Sequence, residues 1–169
     1  MSGEPWLAWI QRAESNLARA RLGRQSEDIL YEDICFDAQQ AAEKALKGLL
    51  VYSGLDVPRT HSVGYLLSII KESSGMPVPP QVEQAALLSD YAVTTLYPRA
   101  WEPVGEDEYR QTLAHAEEVW KWAASVTRYK WSRIPPRDSV VPRDHRSVLS
   151  VPTNATPSSV RRDPGIRRQ

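Results

Sequence analysis

Residue types that build many common sites are scarce in this chain of 169 residues. Cys35 is the only cysteine, which excludes an internal disulfide and a metal site made of clustered cysteines. Because Cys35 lies within an apolar helical pattern, we expect a buried thiol rather than a nucleophile. The three histidines are dispersed and lack acidic partners at ligand spacing, so we expect no metal centre and no cofactor.

Long apolar runs are also missing. No run approaches the roughly 18 residues that a membrane span requires. The first residues do not show the basic segment and apolar stretch of a secretory signal. We therefore expect a cytoplasmic protein without a membrane partner. No segment alternates apolar and polar residues with the period of two that is typical of strands, so we expect no β-sheet.

Charge is balanced overall but unevenly distributed. Residues 1–128 contain 12 basic and 18 acidic side chains, a net charge of −6, whereas residues 129–169 contain 9 and 3, a net charge of +6. The last part also contains six prolines and no periodic apolar positions. We predict a helical domain over residues 1–131 and a disordered tail rich in arginine and proline over residues 132–169. The arginine pairs 161–162 and 167–168 either contact nucleic acid or an acidic partner, or only keep the protein soluble.

Apolar residues recur at helical spacing in five segments, which predicts an all-α fold of about five helices. In the second segment, Glu43 and Lys47 form an i,i+4 pair of favourable orientation. We expect Thr60 or Ser62 to cap the start of the third helical segment. The five predicted helices cover about residues 5–24, 29–52, 60–74, 81–96 and 106–128.

Three motifs resemble those of a known family. Residues 38–47 read AQQAAEKALK and resemble the A-Q-Q-A-x-E-K-x-L-K string of HEPN domains. Residues 58–62 read PRTHS and resemble the P-x-T-H element of that family, and residues 96–99 read LYPR and resemble its R-Y-P element. The motifs occur in the family's order, and the resemblance covers about residues 5–128.

The resemblance implies an antiparallel, up-and-down helical bundle that forms a homodimer. It also implies a separate minimal nucleotidyltransferase as partner, since the two proteins frequently act as a toxin–antitoxin pair. Some HEPN branches are metal-independent ribonucleases with an Arg-x(4–6)-His motif at the dimer cleft, and others bind nucleotides.

Arg110 and His115 match the spacing of the ribonuclease motif. With 16 arginines and three histidines, about one such match arises by chance. The pair also lies within a continuous predicted helix, where five residues place the two side chains about 140° apart. Where the family has the arginine of its R-Y-P element, this chain has Leu96. Arg99 follows the proline, without a histidine four to six residues later.

Several polar residues are candidates for contact with a nucleotide phosphate or an RNA backbone. Gln40, Lys44 and Lys47 fall near one face of the second helix, although helix-favouring residues on a solvated face explain the same pattern. His61 lies near a helix start, where it caps the helix or contacts a ligand. Arg99 completes the predicted set.

Three functions compete on this basis. The leading hypothesis is a HEPN protein that binds nucleotide or RNA and works with a nucleotidyltransferase. The second is a metal-independent endoribonuclease toxin that uses Arg110 and His115. The third is a helical adaptor without catalytic activity, which predicts only the capture of a partner.

Overall fold

A computed structural model describes residues 4–91 and 103–129. These residues form five helices and no strand, which confirms the predicted all-α class. The predicted tail and Arg99 lie outside the described residues. The helices are α1 (Pro5–Leu22), α2 (Tyr31–Tyr52), α3 (Val63–Ile69, continued by a π-helical turn over Ile70–Ser74), α4 (Pro80–Glu83, continued by a 3-10 helix over Gln84–Asp90) and α5 (Glu106–Thr127).

The helix ends follow from local chemistry. Pro5 occupies the first turn of α1, where a missing N–H costs nothing. Gly23 ends α1 at a φ of 66°, a conformation that favours glycine. Ser62 is the N-cap of α3, since its hydroxyl accepts a hydrogen bond from the backbone N–H of Tyr65 at 3.2 Å. Thr60, the other predicted cap, accepts from the N–H of Ser62 instead.

The fourth helix differs from the prediction. A single α-helix was expected over residues 81–96, but the chain forms one α-turn and then a 3-10 helix up to Asp90. The buried residues Val82, Ala85 and Leu88 explain the change because they are three residues apart. A 3-10 helix has three residues per turn and places all of them on one edge. Residues 92–96 lie outside the described part.

Contacts on two seams fix the directions of the long helices. On the α1–α2 seam, Trp9 lies against Lys47, and Arg19 pairs with Asp37. On the α1–α5 seam, the Tyr109 hydroxyl donates to the Ala20 carbonyl at 2.8 Å, while the Glu14 carboxylate, in the middle of α1, accepts from the Tyr129 hydroxyl just after α5. Helix α1 is therefore antiparallel to both neighbours, and α2 and α5 run in the same direction.

Helix α2 is the centre of the bundle, since 13 of its 22 residues are buried. Small side chains allow its neighbours to approach closely. Helix α1 approaches closely at Gly48, where a Cβ atom would lie 2.8 Å from Ile10 Cδ1. Cys35 on the same helix is fully buried, and burial raises the pKa of its thiol to about 12. This confirms the predicted buried thiol.

Two further observations concern the described residues only. None of their helices combines the length and apolar character needed to cross a bilayer. They also bring no three His, Cys, Asp or Glu side chains together in a way that could hold a metal ion.

Candidate functional site

A network of buried polar groups surrounds Glu43 on one edge of α2. Glu43 is 3% exposed, and its carboxylate accepts hydrogen bonds from Lys47 at 2.7 Å and from Gln39 and Gln40 at 3.1 Å each. Burial alone raises the pKa of this carboxyl. The hydrogen bonds from Lys47, Gln39 and His61, together with the charge of Lys47, outweigh burial and bring the pKa below its usual value. Glu43 is therefore an anchored carboxylate.

Lys47 is the main charge partner of Glu43 and is itself only 7% exposed. Its ammonium also donates to the Thr60 carbonyl at 2.8 Å and lies 5.8 Å from the centroid of the Trp9 ring. Two of the three donors of the ammonium group are thus used in hydrogen bonds to Glu43 and Thr60. Lys47 thus ties α2 to α1 and to the loop before α3.

His61 is the exposed end of this network. Its side chain is 72% exposed, while Nδ1 lies 3.1 Å from Glu43 Oε2. Since a carboxylate only accepts, Nδ1 carries the proton in this contact, and Nε2 is the ring nitrogen left for another partner. Gln39 donates to the backbone carbonyl of His61 at 3.0 Å and so holds the residue at its backbone as well. The imidazole is therefore oriented before any ligand arrives.

Lys44 belongs to a second network, between α1 and α2. Its ammonium donates to Asn16 Oδ1 at 2.6 Å, and Asn16 Nδ2 donates to Asp37 at 2.8 Å. Burial lowers the pKa of Lys44, and the charges of Arg19 and Arg12 lower it further, while those of Glu43 and Asp37 oppose the change. An anion bound nearby would therefore stabilise the charged form of Lys44.

We call the residues of both networks, together with Arg12, the polar edge. It contains more positive than negative charge: four cations surround two carboxylates, in a part of the chain whose net charge is −6. Arg12 is exposed and makes no ion pair within the described residues. The edge can attract an anion and offer it an oriented imidazole. Its charged members are Arg12, Arg19, Asp37, Glu43, Lys44 and Lys47.

The structure brings four of the predicted site residues together. Gln40, Lys47 and His61 contact Glu43, and Lys44 lies on the neighbouring network. Arg99 lies outside the described residues. The predicted Glu43–Lys47 pair is confirmed at 2.7 Å.

The two candidates for ribonuclease chemistry lie on α5. Arg110 is exposed and pairs with Glu106 at 2.6 Å, one turn earlier on the same helix. His115 is half-buried. Since both are on one uninterrupted α-helix, their side chains project about 140° apart.

The sequence analysis did not identify the contribution of α1. Arg12, Asn16 and Arg19 occur at steps of four and three residues, so they lie on one face of α1. This face borders Lys44 and Asp37. The spacing was a usable signal, but nothing in it showed which helix would lie opposite.

Comparisons with known proteins agree with this fold. The sequence profile of the HEPN domain matches residues 6–126. The structure resembles that of TT1696 from Thermus thermophilus, with 30% identity over 73% of this chain and 98% of that one and a TM-score of 0.61. It also resembles the structure of ST0689, an archaeal HEPN homologue. The two chains are 28% identical over 72% of this chain and 96% of that one, with a TM-score of 0.56. No curated protein matches the chain.

Proposed function

This chain belongs to the HEPN family, and from that premise we propose that it binds a nucleotide or RNA on the polar edge and works with a separate minimal nucleotidyltransferase in a toxin–antitoxin-type system. Membership supports a nucleotide- or RNA-related function at the level of the family. The observation that carries the binding proposal is the excess of positive charge around Lys44 within an acidic part of the chain.

Four residues of the polar edge have a role in this proposal. Lys44 and Arg12 attract the phosphate, because neither cation is directly bonded to a carboxylate and the charge of Arg12 acts on Lys44. His61 offers Nε2 to the ligand. Lys47 acts as a positioning residue, since two of its three donors are used by Glu43 and Thr60. A direct contact of Lys47, Gln40 or Arg99 with phosphate stays a prediction.

The ribonuclease alternative has less support. The guanidinium of Arg110 is engaged by Glu106, and His115 projects from a different side of α5. The alternative is tested by incubating the purified protein with RNA. Cleavage that is abolished by His115→Ala would replace the binding proposal with an endoribonuclease. A helical adaptor would show neither RNA cleavage nor RNA binding.

Substitution of Lys44 tests the binding proposal. We expect Lys44→Gln, which retains a donor for Asn16, to weaken the binding of single-stranded RNA about tenfold. The slope of log affinity against log salt should fall by about 0.7, the value for one lost phosphate contact. Fluorescence anisotropy of a labelled oligonucleotide at several salt concentrations measures both quantities.

The matched control is Lys121→Gln. Lys121 is an exposed lysine that pairs with Glu118 on α5, and its removal changes the net charge of the protein equally. We expect it to leave both quantities nearly unchanged. Equal losses in the two variants would contradict the proposal, because they would show binding through overall charge alone.

Deletion of residues 132–169 tests the predicted division of the chain. We expect the thermal midpoint to change by no more than about 2 °C, since the core described above lies within residues 4–129. The deletion removes eight arginines and three aspartates, so RNA affinity should fall most at low salt. Differential scanning calorimetry and anisotropy measure these effects. A fall of the midpoint by more than about 5 °C would show that the tail is part of the folded domain.

A further inference from the structure

We infer that His61 is an acceptor of phosphoryl groups, so that its Nε2 atom takes a phosphoryl group from a small anionic donor and the protein carries a phosphohistidine. The contact between an exposed, oriented imidazole and a buried carboxylate carries this inference. It goes beyond the proposed function, because the reaction requires neither RNA nor a nucleotide.

The imidazole of His61 is both accessible and fixed. Its side chain is 72% exposed, and Nδ1 donates to Glu43 Oε2 at 3.1 Å. The carbonyl of His61 accepts a hydrogen bond from Gln39 at 3.0 Å, so the backbone is held as well. With the proton on Nδ1, the lone pair of Nε2 is left for another partner. His61 thus presents an oriented nucleophile on an exposed ring.

Glu43 suits this ring for nucleophilic attack. Attack by Nε2 leaves positive charge on the imidazole, and a carboxylate bonded to Nδ1 stabilises that charge. Burial raises the pKa of Glu43, but the hydrogen bonds from Lys47, Gln39 and His61 and the charge of Lys47 outweigh burial and bring the pKa below its usual value. Glu43 is therefore ionised at neutral pH. Since it is only 3% exposed, water screens its charge little.

The reaction is a displacement at phosphorus, and phosphoramidate is a suitable donor. The lone pair of Nε2 attacks the phosphorus atom. A bond forms between Nε2 and phosphorus while the bond between phosphorus and the protonated nitrogen of the donor breaks, and its electron pair leaves with ammonia. The proton on Nδ1 stays in the hydrogen bond with Glu43. Nothing is oxidised or reduced.

The charges around His61 favour an anionic donor over a neutral one. Lys47 bonds the other oxygen of the Glu43 carboxylate at 2.7 Å and donates to the carbonyl of Thr60, the residue before His61. Arg59 in the same loop is exposed and makes no ion pair within the described residues. Cations close to a reacting phosphoryl group stabilise its oxygens. A neutral electrophile gains nothing from them.

Other nucleophiles of the described residues are less suited to this reaction. Cys35 is fully buried, and burial raises the pKa of its thiol to about 12. His115 is half-buried on α5 and forms no hydrogen bond or ion pair with a carboxylate in the described part of the chain. Because His115 has the same ring without an anchored carboxylate, it serves as the internal control.

The test incubates the full-length protein with phosphoramidate and follows phosphorylation of each histidine by mass spectrometry. The reference is a peptide of residues 58–64, which contains His61 without Glu43. We expect His61 to react at least about tenfold faster in the protein than in the peptide, a modest effect for an imidazole oriented by a carboxylate. His115 should react no faster than the peptide. Phosphorus NMR should place the phosphoryl group on Nε2.

Glu43→Gln tests the cause of this rate. The amide oxygen can still accept a hydrogen bond from Nδ1, but it carries no charge. We expect His61 in this variant to react at about the rate of the peptide, with the circular dichroism spectrum of the intact protein. If the unpaired charge of Lys47 prevents folding, Glu43→Gln/Lys47→Met, which buries no uncompensated charge, takes its place.

Diethyl pyrocarbonate, a neutral reagent that also attacks imidazole, separates phosphoryl acceptance from general reactivity. Its ratio of rates between protein and peptide should be at least about threefold smaller than the ratio for phosphoramidate, since the cations attract only the anionic donor. Equal ratios for the two reagents, equal rates of phosphorylation in protein and peptide, or a phosphoryl group on Nδ1 would overturn the inference.

RNA binding is measured separately with the phosphorylated protein. A phosphoryl group adds about −1.5 to −2 charges near neutral pH, which offsets the excess of positive charge on the polar edge. We therefore expect phosphorylation of His61 to weaken RNA binding in the anisotropy assay, a consequence that rests on the proposed function. Failure of the unmodified protein to bind RNA would overturn the proposed function alone. A protein that binds RNA while His61 reacts no faster than the peptide would overturn only phosphoryl acceptance.

Discussion

Replacement of Lys47 by alanine is expected to lower the free energy of unfolding by about 3–5 kcal/mol, which is the usual effect of breaking a buried ion pair by removing one partner. Glu43 is 3% exposed, and its carboxylate would remain in the interior without its ammonium partner. The carbonyl of Thr60 would lose a hydrogen bond as well. Urea denaturation followed by circular dichroism measures the loss.

Two variants control for the cause of this loss. Lys121→Ala breaks an exposed pair with Glu118 and should cost less than about 1 kcal/mol. The double variant Glu43→Gln/Lys47→Met removes both charges and should recover part of the stability lost in the single variant, since no uncompensated charge remains. If Lys47→Ala were as mild as Lys121→Ala, the Glu43 network would not hold the bundle together.

The same network predicts how stability depends on pH. The pKa of Glu43 is lower in the folded protein than its ordinary value of 4.5, although burial alone acts in the opposite direction. Glu43 therefore contributes to the free energy of unfolding above its unfolded-state pKa. This contribution is lost as the pH falls through the folded-state pKa. Thermal midpoints from neutral pH down to about 3 should fall more steeply for the intact protein than for Glu43→Gln. Parallel curves would contradict this.

The second large effect is expected at Gly48. In an exposed helix, replacement of glycine by alanine stabilises the protein by about 1 kcal/mol. At Gly48 the added Cβ would lie 2.8 Å from Ile10 Cδ1 and 3.3 Å from Trp9 Cβ, and Ile10 is fully buried. Overpacking of this kind costs about 1–3 kcal/mol, so we expect Gly48→Ala to destabilise the protein in urea denaturation.

Ile10→Val provides the matched test of the cause, because valine lacks the Cδ1 atom that the new methyl would meet. The double variant Ile10→Val/Gly48→Ala should be more stable than the sum of the two single effects predicts, by at least about 0.5 kcal/mol. A stabilising Gly48→Ala would show that α1 can shift away from α2.

The sequence predicted a helix correctly where its apolar residues follow a single helical period. The apolar stripe of α2 has the helical period over its whole length, and the structure confirms the helix and its buried face. Residues 82–88 were harder, because Val82 and Ala85 suit both an α-helix and a 3-10 helix. Only the burial of Leu88, rather than Ser89, distinguishes the two. Packing on the neighbouring helices decides which of these two residues is buried, and the local sequence does not indicate that packing.

The site was predicted only in part for a similar reason. Lys44 and Lys47 were recognised as cations on one helix. The sequence could not show that Lys47 donates hydrogen bonds to Glu43 and to the Thr60 carbonyl. That outcome depends on how the loop before α3 folds back on α2. Arg12 and Trp9 were missed because their relation to Lys44 and Lys47 exists only across the α1–α2 seam.

The contact between Tyr109 and Ala20 also bears on the order in which the chain assembles. It joins residues 89 positions apart, whereas the Lys44–Asn16 contact spans 28. Closing the longer loop costs about 1 kcal/mol more in chain entropy. We therefore expect α1 and α2 to associate first and α5 to join afterwards. Under native conditions α5 should detach before the α1–α2 pair opens, so its amide protons should exchange with deuterium fastest among the three long helices.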